Sequence, residues 1–464
     1  MSKSTHKALI ISMALGAVFF SGASVAAVTE TEAANLGKEL TPFGAERAGN
    51  KDGSIPEWKG CPNLNAPMDQ LKAGDRRWDP YADEKPLYTV TAENMSQYAD
   101  KLSDGVRALL QKYPDTMKLP VYATHRNHCA PEWVYQATAK NAVEANLVVD
   151  GDKEGVQGAV NGVPFPIPKN GAEVRWNHAS SWRGESYESK LRLYSMTSAG
   201  DRVLGGQAMQ YDQFEAYRKG ISAQEYADKG YLGKMTMQSA EAPSFRAGEG
   251  VVVRDTTNYT KYDRQSWQYL VGQRRVRRAP NLGWDTPDFL NSGANFFDEV
   301  FGSFLLGQER HEFKLVGKKE VLIPYNNNKL FSLKEDEIFL KNHHNPDAIR
   351  WELHRVWVLE ATLKPGKRHA VSKRVFYVDE DTWSTSLMDG WDPSGKLWRV
   401  SLFLNYYLPD MPGMMSSFTD ILYVLDGVWS SRHILYEPGY QLKAVPMKPD
   451  SVFTPDALTG RGIR

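Results

Sequence analysis

Long apolar runs are scarce in this chain of 464 residues. The longest, residues 8–20, has 13 residues, whereas a helix needs roughly 20 to cross a bilayer. Lys3 and Lys7 precede this run, and the small-residue stretch 21–27 follows it. That pattern is typical of a cleaved secretory signal peptide. We therefore predict an exported protein that does not span the membrane, with a signal peptide over residues 1–27.

Cysteine is almost absent, since the sequence has only Cys61 and Cys129. In an oxidising exported compartment these two residues have only each other as partners. We predict one disulfide, and the alternative is a pair of unrelated buried thiols. A disulfide would consume Cys129, so the set His125, His128 and Cys129 loses a metal ligand. We accordingly predict neither a metal site nor a cofactor.

The chain also lacks an excess of charge of one sign. It has 56 basic and 56 acidic residues, and loss of Lys3 and Lys7 with the signal leaves 54 against 56, a net charge of −2. Nucleic-acid binding needs a basic field that attracts phosphates. We therefore predict that nucleic acid is not a partner.

Enzyme motifs are missing as well: the sequence has no nucleophile elbow, no phosphate-binding loop, no His-Glu-x-x-His and no Cys-x-x-Cys. Asp379 and Asp381 are most simply part of an acidic hairpin turn, although two close carboxylates can share a proton. His343, His344 and His354 resemble a solvated loop beside a strand. We predict no catalytic residues and no enzyme, and the alternative is an enzyme that uses Asp379 or Asp381 with a histidine.

The organisation changes near residue 170. Residues 28–170 are rich in Pro, Gly, Asn and Asp, with one helix predicted from Met95 to Leu109, a second over residues 135–146, and a stiff proline-rich connector at 162–168. Residues 171–464 show repeated period-two alternation with short turns, which favours a long antiparallel sheet. The clearest strand is predicted at residues 351–363. The exception is a Phe-rich helical segment at 288–306.

Two features exceed what folding needs. Four arginines lie at positions 274–278, and strand alternation would place Arg275 and Arg277 on one face, where they could bind an acid group. The alternative is a solvated strand edge that blocks strand addition. The other feature is a large number of aromatic side chains in the second half of the chain, which either fill a core or line an apolar cavity. The candidate ligand-binding rings are Trp267, Tyr269, Trp284, Phe296, Phe297, Phe301, Phe304, Trp357 and Trp398.

Several stretches together resemble one large family of proteobacterial exported proteins. They are residues 40–50 (LTPFGAERAGN), 52–56 (DGSIP), 162–168 (GVPFPIP), 176–178 (WNH), 267–269 (WQY), 274–278 (RRVRR), 315–320 (LVGKKE), 324–326 (PYN) and 355–363 (RVWVLEATL). The chain is identified as a member of the domain-of-unknown-function 1329 family, whose members are often labelled outer-membrane lipoprotein-sorting proteins.

This resemblance implies a LolA/LolB-like fold: an α+β protein with a curved, half-open antiparallel sheet lined with apolar side chains and lidded by helices. We expect residues 28–170 to pack on the sheet, residues 171–464 to form the half-barrel, and a helix at 293–306 to close partly over it. The resemblance implies a periplasmic carrier of a hydrophobic molecule or lipid, with a resistance-nodulation-division type permease and an outer-membrane protein as partners. A structural adaptor of a membrane transporter is a further alternative.

Overall fold

A computed structural model describes residues 28–62, 64, 78–279, 284–288, 293, 295–300, 309–408, 413–415, 420–425, 429–434 and 442–459. The predicted signal peptide therefore lies outside the described residues. In these ranges the strands are β1 Tyr88–Val90, β2 Leu119–Val121, β3 Asn146–Asp150, β4 Lys153–Gln157, β5 Ser186–Met196, β6 Arg202–Phe214, β7 Leu232–Ala242, β8 Gly250–Thr256, β9 Gln265–Leu270, β10 Arg275–Arg278, β11 His311–Pro324, β12 Trp351–Leu363, β13 Lys373–Asp379, β14 Thr385–Trp391, β15 Leu397–Phe403, β16 Tyr406–Leu408, β17 Gly413–Met415, β18 Asp420–Val424, β19 Trp429–Ile434 and β20 Lys443–Ala444.

The helices are short. They are α1 Glu30–Ala33, α2 Asp104–Lys112, α3 Glu132–Glu144, α4 Gly171–Ala179, α5 Ala223–Asp228, α6 Phe297–Val300, α7 Glu335–Ile338 and α8 Pro455–Thr459. Turns of 3₁₀ helix occur at Met95–Lys101, Glu215–Tyr217, Ser244–Arg246, Val271–Gln273, Asn327–Ser332, Pro346–Ala348 and Asp450–Phe453. Among the residues that the structure describes, no helix is long and apolar enough to cross a membrane.

One sheet of 16 strands dominates the molecule, and it does not close. Its order is β1-β2-β12-β13-β14-β15-β18-β19-β5-β6-β7-β8-β9-β10, with β11 also paired to β12 and β20 to β5. Neighbouring strands are antiparallel except β2 and β12, which meet in parallel at Val121 and Trp351. The predicted α+β class with a long, open antiparallel sheet is confirmed, and the sheet is mixed only at this one pair.

The sheet carries a hydrophobic core on each face. On the first face, which we call the α2 face, Val356, Leu387 and Val400 belong to one core that includes residues of α2. On the opposite face, the α4 face, Leu359 and Phe376 pack with Val174 of α4. Because both faces are covered, the strand predicted at residues 351–363 is buried on both sides rather than on one.

Residues 28–170 pack on the sheet and also contribute to it, through β1 and β2. The helix predicted from Met95 to Leu109 is divided into a 3₁₀ helix and α2. The division falls at Ser103, whose hydroxyl accepts a hydrogen bond of 3.1 Å from the backbone N–H of Val106 and so begins α2. The second predicted helix is confirmed as α3.

A helix precedes the first long strand of the region predicted to show period-two alternation. Residues 171–179 form α4, and the side chain of Asn170 caps it by accepting a 3.0 Å hydrogen bond from the N–H of Glu173. The predicted disulfide between Cys61 and Cys129 is present, with a Cα–Cα distance of 5.6 Å.

Candidate functional site

An open groove of about 670 Å³ lies where the start of β6, the turn after β7 and β9 meet. Ligand cavities in proteins commonly have volumes of about 300–1,000 Å³. The ring of Phe245 is 78% exposed at the groove, which is unusual for so large an apolar side chain. Arg246 and Glu249 form an ion pair of 3.2 Å beside it. The lining residues are Leu204, Gly205, Pro243, Phe245, Arg246, Glu249, Gln268 and Leu270.

Arg275 and Arg277 stand next to this groove. In the β9–β10 register Arg275 is opposite Leu270 and Arg277 is opposite Gln268. Cross-strand partners point to the same face with Cβ atoms about 5 Å apart. Both arginines are exposed, and neither forms an ion pair with any residue in the described ranges. The groove is therefore lined by apolar and polar side chains together and bordered by two arginines that form no ion pair with the described residues.

The other two arginines of the cluster are placed differently. Arg274 is not on a strand, because the chain turns there with a left-handed backbone, φ 50°. Arg278 pairs with Trp267 and shares its face, on the side away from the groove. The cluster thus follows the turn of a hairpin formed by β9 and β10. The predicted alternation holds for Arg275, Arg277 and Arg278, and fails at Arg274.

The candidate aromatic residues do not converge on one cavity. Trp267 and Tyr269 pack with Phe453 and Leu458 on the side of β9 away from the groove. Trp357 stacks on Trp383, with ring centroids 6.1 Å apart. Phe301 and Phe304 lie outside the described residues.

A third aromatic group lies near α6. Phe296 contacts Trp398, with centroids 6.1 Å apart, and the guanidinium of Arg399 lies 4.3 Å from the Phe296 ring. Trp284 has the guanidinium of Arg310 over its ring at 4.6 Å. Phe297, which begins α6, is buried. Ligand binding by these residues stays a prediction.

Ion pairs join α6 to the sheet. The guanidinium of Arg374 donates two hydrogen bonds to Asp298, of 2.6 and 2.9 Å, and Arg399 pairs with Glu299 at 2.9 Å. All four side chains are buried. Burial opposes ionisation of Asp298, but Arg374 and His369 hold the pKa of that carboxyl well below its usual range. For Glu299 burial prevails and raises the pKa.

A second group of buried charges lies where the first half of β12 meets the end of β13 and the turn between β13 and β14, on the α2 face. Nε2 of His354 lies 3.3 Å from Oε2 of Glu352, and Nδ1 lies 3.5 Å from Oδ1 of Asp379. Burial disfavours the imidazolium, but Asp379 and Glu352 outweigh it and raise the pKa of His354 to about 9. Conversely, His354 and Arg350 overcome the effect of burial on Glu352 and lower its pKa to about 2.

Cations from distant parts of the chain complete this group. Arg126 donates hydrogen bonds of 2.8 and 2.7 Å to the two oxygens of Asp381. Arg355 and Lys318 pair with Glu380 at 2.6 and 2.7 Å. Residues 379–381 were predicted to lie in an acidic turn, and their side chains are buried.

The prediction of a solvated histidine loop is wrong. His343, His344 and His354 are all buried. Nε2 of His343 lies 2.8 Å from the hydroxyl of Thr116, and His344 hydrogen-bonds Tyr423. The signal that could have indicated burial of His354 is its position in a strand whose neighbours are almost all apolar.

These features define an α+β protein built on an open antiparallel sheet, with a groove at one end. The family described as "Protein of unknown function (DUF1329)" matches residues 89–459, so the chain belongs to that family. An uncharacterized protein of Pseudomonas aeruginosa is 40% identical over 452 residues, which cover 95% of each chain.

Two solved structures are similar at low sequence identity. A DUF1329 family protein from Desulfovibrio piger is 15% identical with a TM-score of 0.41, covering 62% of this chain and 97% of its own. A LolA superfamily protein from Nitrosomonas europaea is 11% identical with a TM-score of 0.35, covering 62% of this chain and 100% of its own.

Proposed function

We propose that this protein is a non-enzymatic periplasmic carrier that binds an amphipathic molecule with an acidic head group. The observation that carries the proposal is the groove with exposed Phe245 and half-buried Leu270, beside two arginines that form no ion pair with the described residues. An acyl or aromatic body would cover the apolar side chains of the groove, and its carboxylate or phosphate would meet Arg275 and Arg277. A guanidinium pair is suited to such groups, because it donates several hydrogen bonds in a planar fork.

The energetic scale fits a reversible carrier. Covering roughly 300 Å² of apolar surface contributes about 7 kcal/mol before the costs of association and ordering. Pairing with each exposed arginine contributes up to about 1 kcal/mol, so the two arginines together favour acids over neutral molecules of the same shape. A carrier must release its cargo, so moderate affinity with selectivity for the head group suits the role.

The cellular setting is part of the same proposal. The signal-like segment 1–27 supports export to the periplasm. A resistance-nodulation-division type permease and an outer-membrane protein would act as the donor and acceptor of the cargo. The titratable groups that line the groove, Arg246 and Glu249, are paired with each other, which favours binding over catalysis.

The test is a titration with a long-chain fatty acid and with the alcohol of equal chain length. We expect the Arg275→Gln/Arg277→Gln variant to bind the acid at least about tenfold more weakly, a loss of about 1.4 kcal/mol, and to bind the alcohol as the wild type does. The matched control is Arg274→Gln/Arg278→Gln, which removes the same charge from the turn before β10 and from the opposite face of β10. A Phe245→Ala variant should weaken both ligands.

Two outcomes would contradict the proposal. One is the absence of saturable binding of either ligand by the wild type. The other is an equal loss of acid binding in the two arginine variants, because then only net charge would matter. Native mass spectrometry of gently purified protein would add the identity of any cargo that remains bound.

A further inference from the structure

The buried charges at the start of β12 and the turn between β13 and β14 include a set of ligand atoms with the dimensions of a metal site. One nitrogen of His354 and one oxygen each of Asp379 and Asp381 all lie within 4.8 Å of one another. Two atoms bound to a tetrahedral ion at about 2.1 Å are about 3.4 Å apart. Nδ1 of His354 and Oδ1 of Asp379 are separated by 3.5 Å. The distance between these two atoms is therefore already close to the distance between two ligands of one ion.

The hydrogen bonding of Asp379 points to the same place. Its Oδ2 accepts a 3.0 Å hydrogen bond from the N–H of Thr382. Its Oδ1 is buried and accepts no hydrogen bond of ordinary geometry from the described residues. The nearest cation is the imidazolium of His354, whose Nδ1 lies 3.5 Å from this oxygen, beyond ordinary hydrogen-bond length; a bound ion that replaces the Nδ1 proton would satisfy the oxygen more fully. This oxygen lies on the side of Asp379 that faces His354.

The surrounding residues orient the three candidate ligands. Nε2 of His354 faces Glu352, the carboxylate–histidine arrangement that fixes the ring of metal-bound histidines. Arg126 holds Asp381 with two hydrogen bonds, and each carboxylate oxygen keeps a lone pair for a further contact. The ring of Tyr325 lies against His354, with centroids 3.9 Å apart. The set is thus fixed before any ion arrives.

We propose that His354, Asp379 and Asp381 bind one divalent transition-metal ion, of which zinc is the best fit. A ligand set of one imidazole and two carboxylates suits Zn²⁺, whereas Mg²⁺ and Ca²⁺ prefer oxygen ligands alone. All three ligand side chains are buried, so the ion would stabilise the packing of β12 against β13 and the turn after β13 rather than act on a solute. The site is separate from the groove, which lies beyond β5 on the opposite half of the sheet.

The experiment measures metal retention. The full chain is unfolded with a chelator, refolded with excess Zn²⁺, Co²⁺ or Mn²⁺ in turn, dialysed, and analysed by mass spectrometry for metal per chain. We expect about one ion per wild-type chain and loss of retention in both His354→Gln and Asp379→Asn. The control is His369→Gln, which changes another buried histidine that faces a carboxylate, Asp298, and should retain the ion. Bound Co²⁺ should show visible absorption that the two site variants lack.

A wild-type chain that retains none of the three ions would overturn the proposal, and that result does not depend on the folding of any variant. Retention by His354→Gln equal to the wild type would also overturn it. Circular dichroism of each variant shows whether the fold is kept. If His354→Gln does not fold, Asp379→Asn decides between these outcomes.

Discussion

At the scale of single residues, Asp389 is an acid placed where its charge is unfavourable. It is fully buried on β14, beneath the start of α2, where Ser103 and Tyr377 donate hydrogen bonds of 3.1 and 3.3 Å to it. Burial outweighs these bonds and raises its pKa to about 7. Gly105 permits this close packing, because a Cβ atom at that position would lie 2.2 Å from Oδ1 of Asp389.

The raised pKa predicts that Asp389 lowers stability as pH rises. Below about pH 4 the carboxyl is protonated in both states. Between about 4 and 7 the unfolded chain loses its proton first, so the folded state binds more protons and stability falls; above 7 the effect is constant. The full change is of the order of 4 kcal/mol. Asp389→Asn should remove this component, which urea unfolding of both proteins at pH 5 and pH 8 would measure.

The control is Ser103→Ala, which removes one hydrogen bond but leaves the carboxyl, and so should keep the pH dependence. If the stability curves of wild type and Asp389→Asn run parallel from pH 5 to pH 8, the carboxyl is ionised throughout and the argument fails.

At the scale of elements, the buried ion pair between Asp298 of α6 and Arg374 of β13 holds the two elements together. Substitution of either residue alone leaves the other charge buried without this partner. Arg374→Ala leaves Asp298 buried with a charge that His369 alone would have to offset. Removing one partner of a buried pair costs about 3–5 kcal/mol. We expect that loss of unfolding free energy for Arg374→Ala in chemical denaturation. The double variant Arg374→Met/Asp298→Leu should recover most of it.

The neighbouring residue supplies a matched control. Lys373 lies next to Arg374 on β13 and pairs with Glu360 of β12 at 2.7 Å. The two side chains of this pair are 41% and 31% exposed, so Lys373→Ala should lower the free energy of unfolding by less than about 1 kcal/mol. Equal losses for Lys373→Ala and Arg374→Ala would show that the buried pair has no special role.

The sequence predicted elements where a pattern is local. Alternation indicated β12, and alanine and valine on one face indicated α3. Polar residues on β12 were less informative, because alternation indicates a polar face but not whether that face meets water. Here the α2 face is covered, so Glu352 and His354 are buried. α4 was missed because it is one short helix between the proline-rich connector and β5.

At the scale of the whole molecule, the groups of charges are assembled from distant segments. Arg126 reaches Asp381 across 255 positions of sequence, and Arg374 reaches Asp298 across 76. Composition and periodicity carry no information on such pairings, since they depend on which strands become neighbours. The groove could be predicted only in part: alternation placed Arg275 and Arg277 on one face, but Leu204 and Phe245 come from elements that pair only in the folded sheet.

The disulfide is the other long connection, and it anchors the N-terminal segment. Arg126 donates to the carbonyl oxygens of Glu46 and Pro56 in that segment, at 2.7 and 3.3 Å, while Cys61 is joined to Cys129 three residues after Arg126. The crosslink spans 68 positions, and closing a loop of that size stabilises a protein by about 4 kcal/mol on the chain-entropy account. We therefore expect Cys61→Ala and Cys129→Ala each to lower the unfolding free energy by up to that amount, measured in urea.

The two substitutions remove one and the same bond, so the double variant should cost no more than either single variant. Reduction of the wild type should reproduce the loss, which separates the effect of the crosslink from that of the side chains. Titration of the unfolded, unreduced protein for free thiols should find none. Two reactive thiols per chain would mean that Arg126 and its carbonyl partners hold the N-terminal segment without a covalent bond, and the expected losses should then shrink to those of two small apolar side chains.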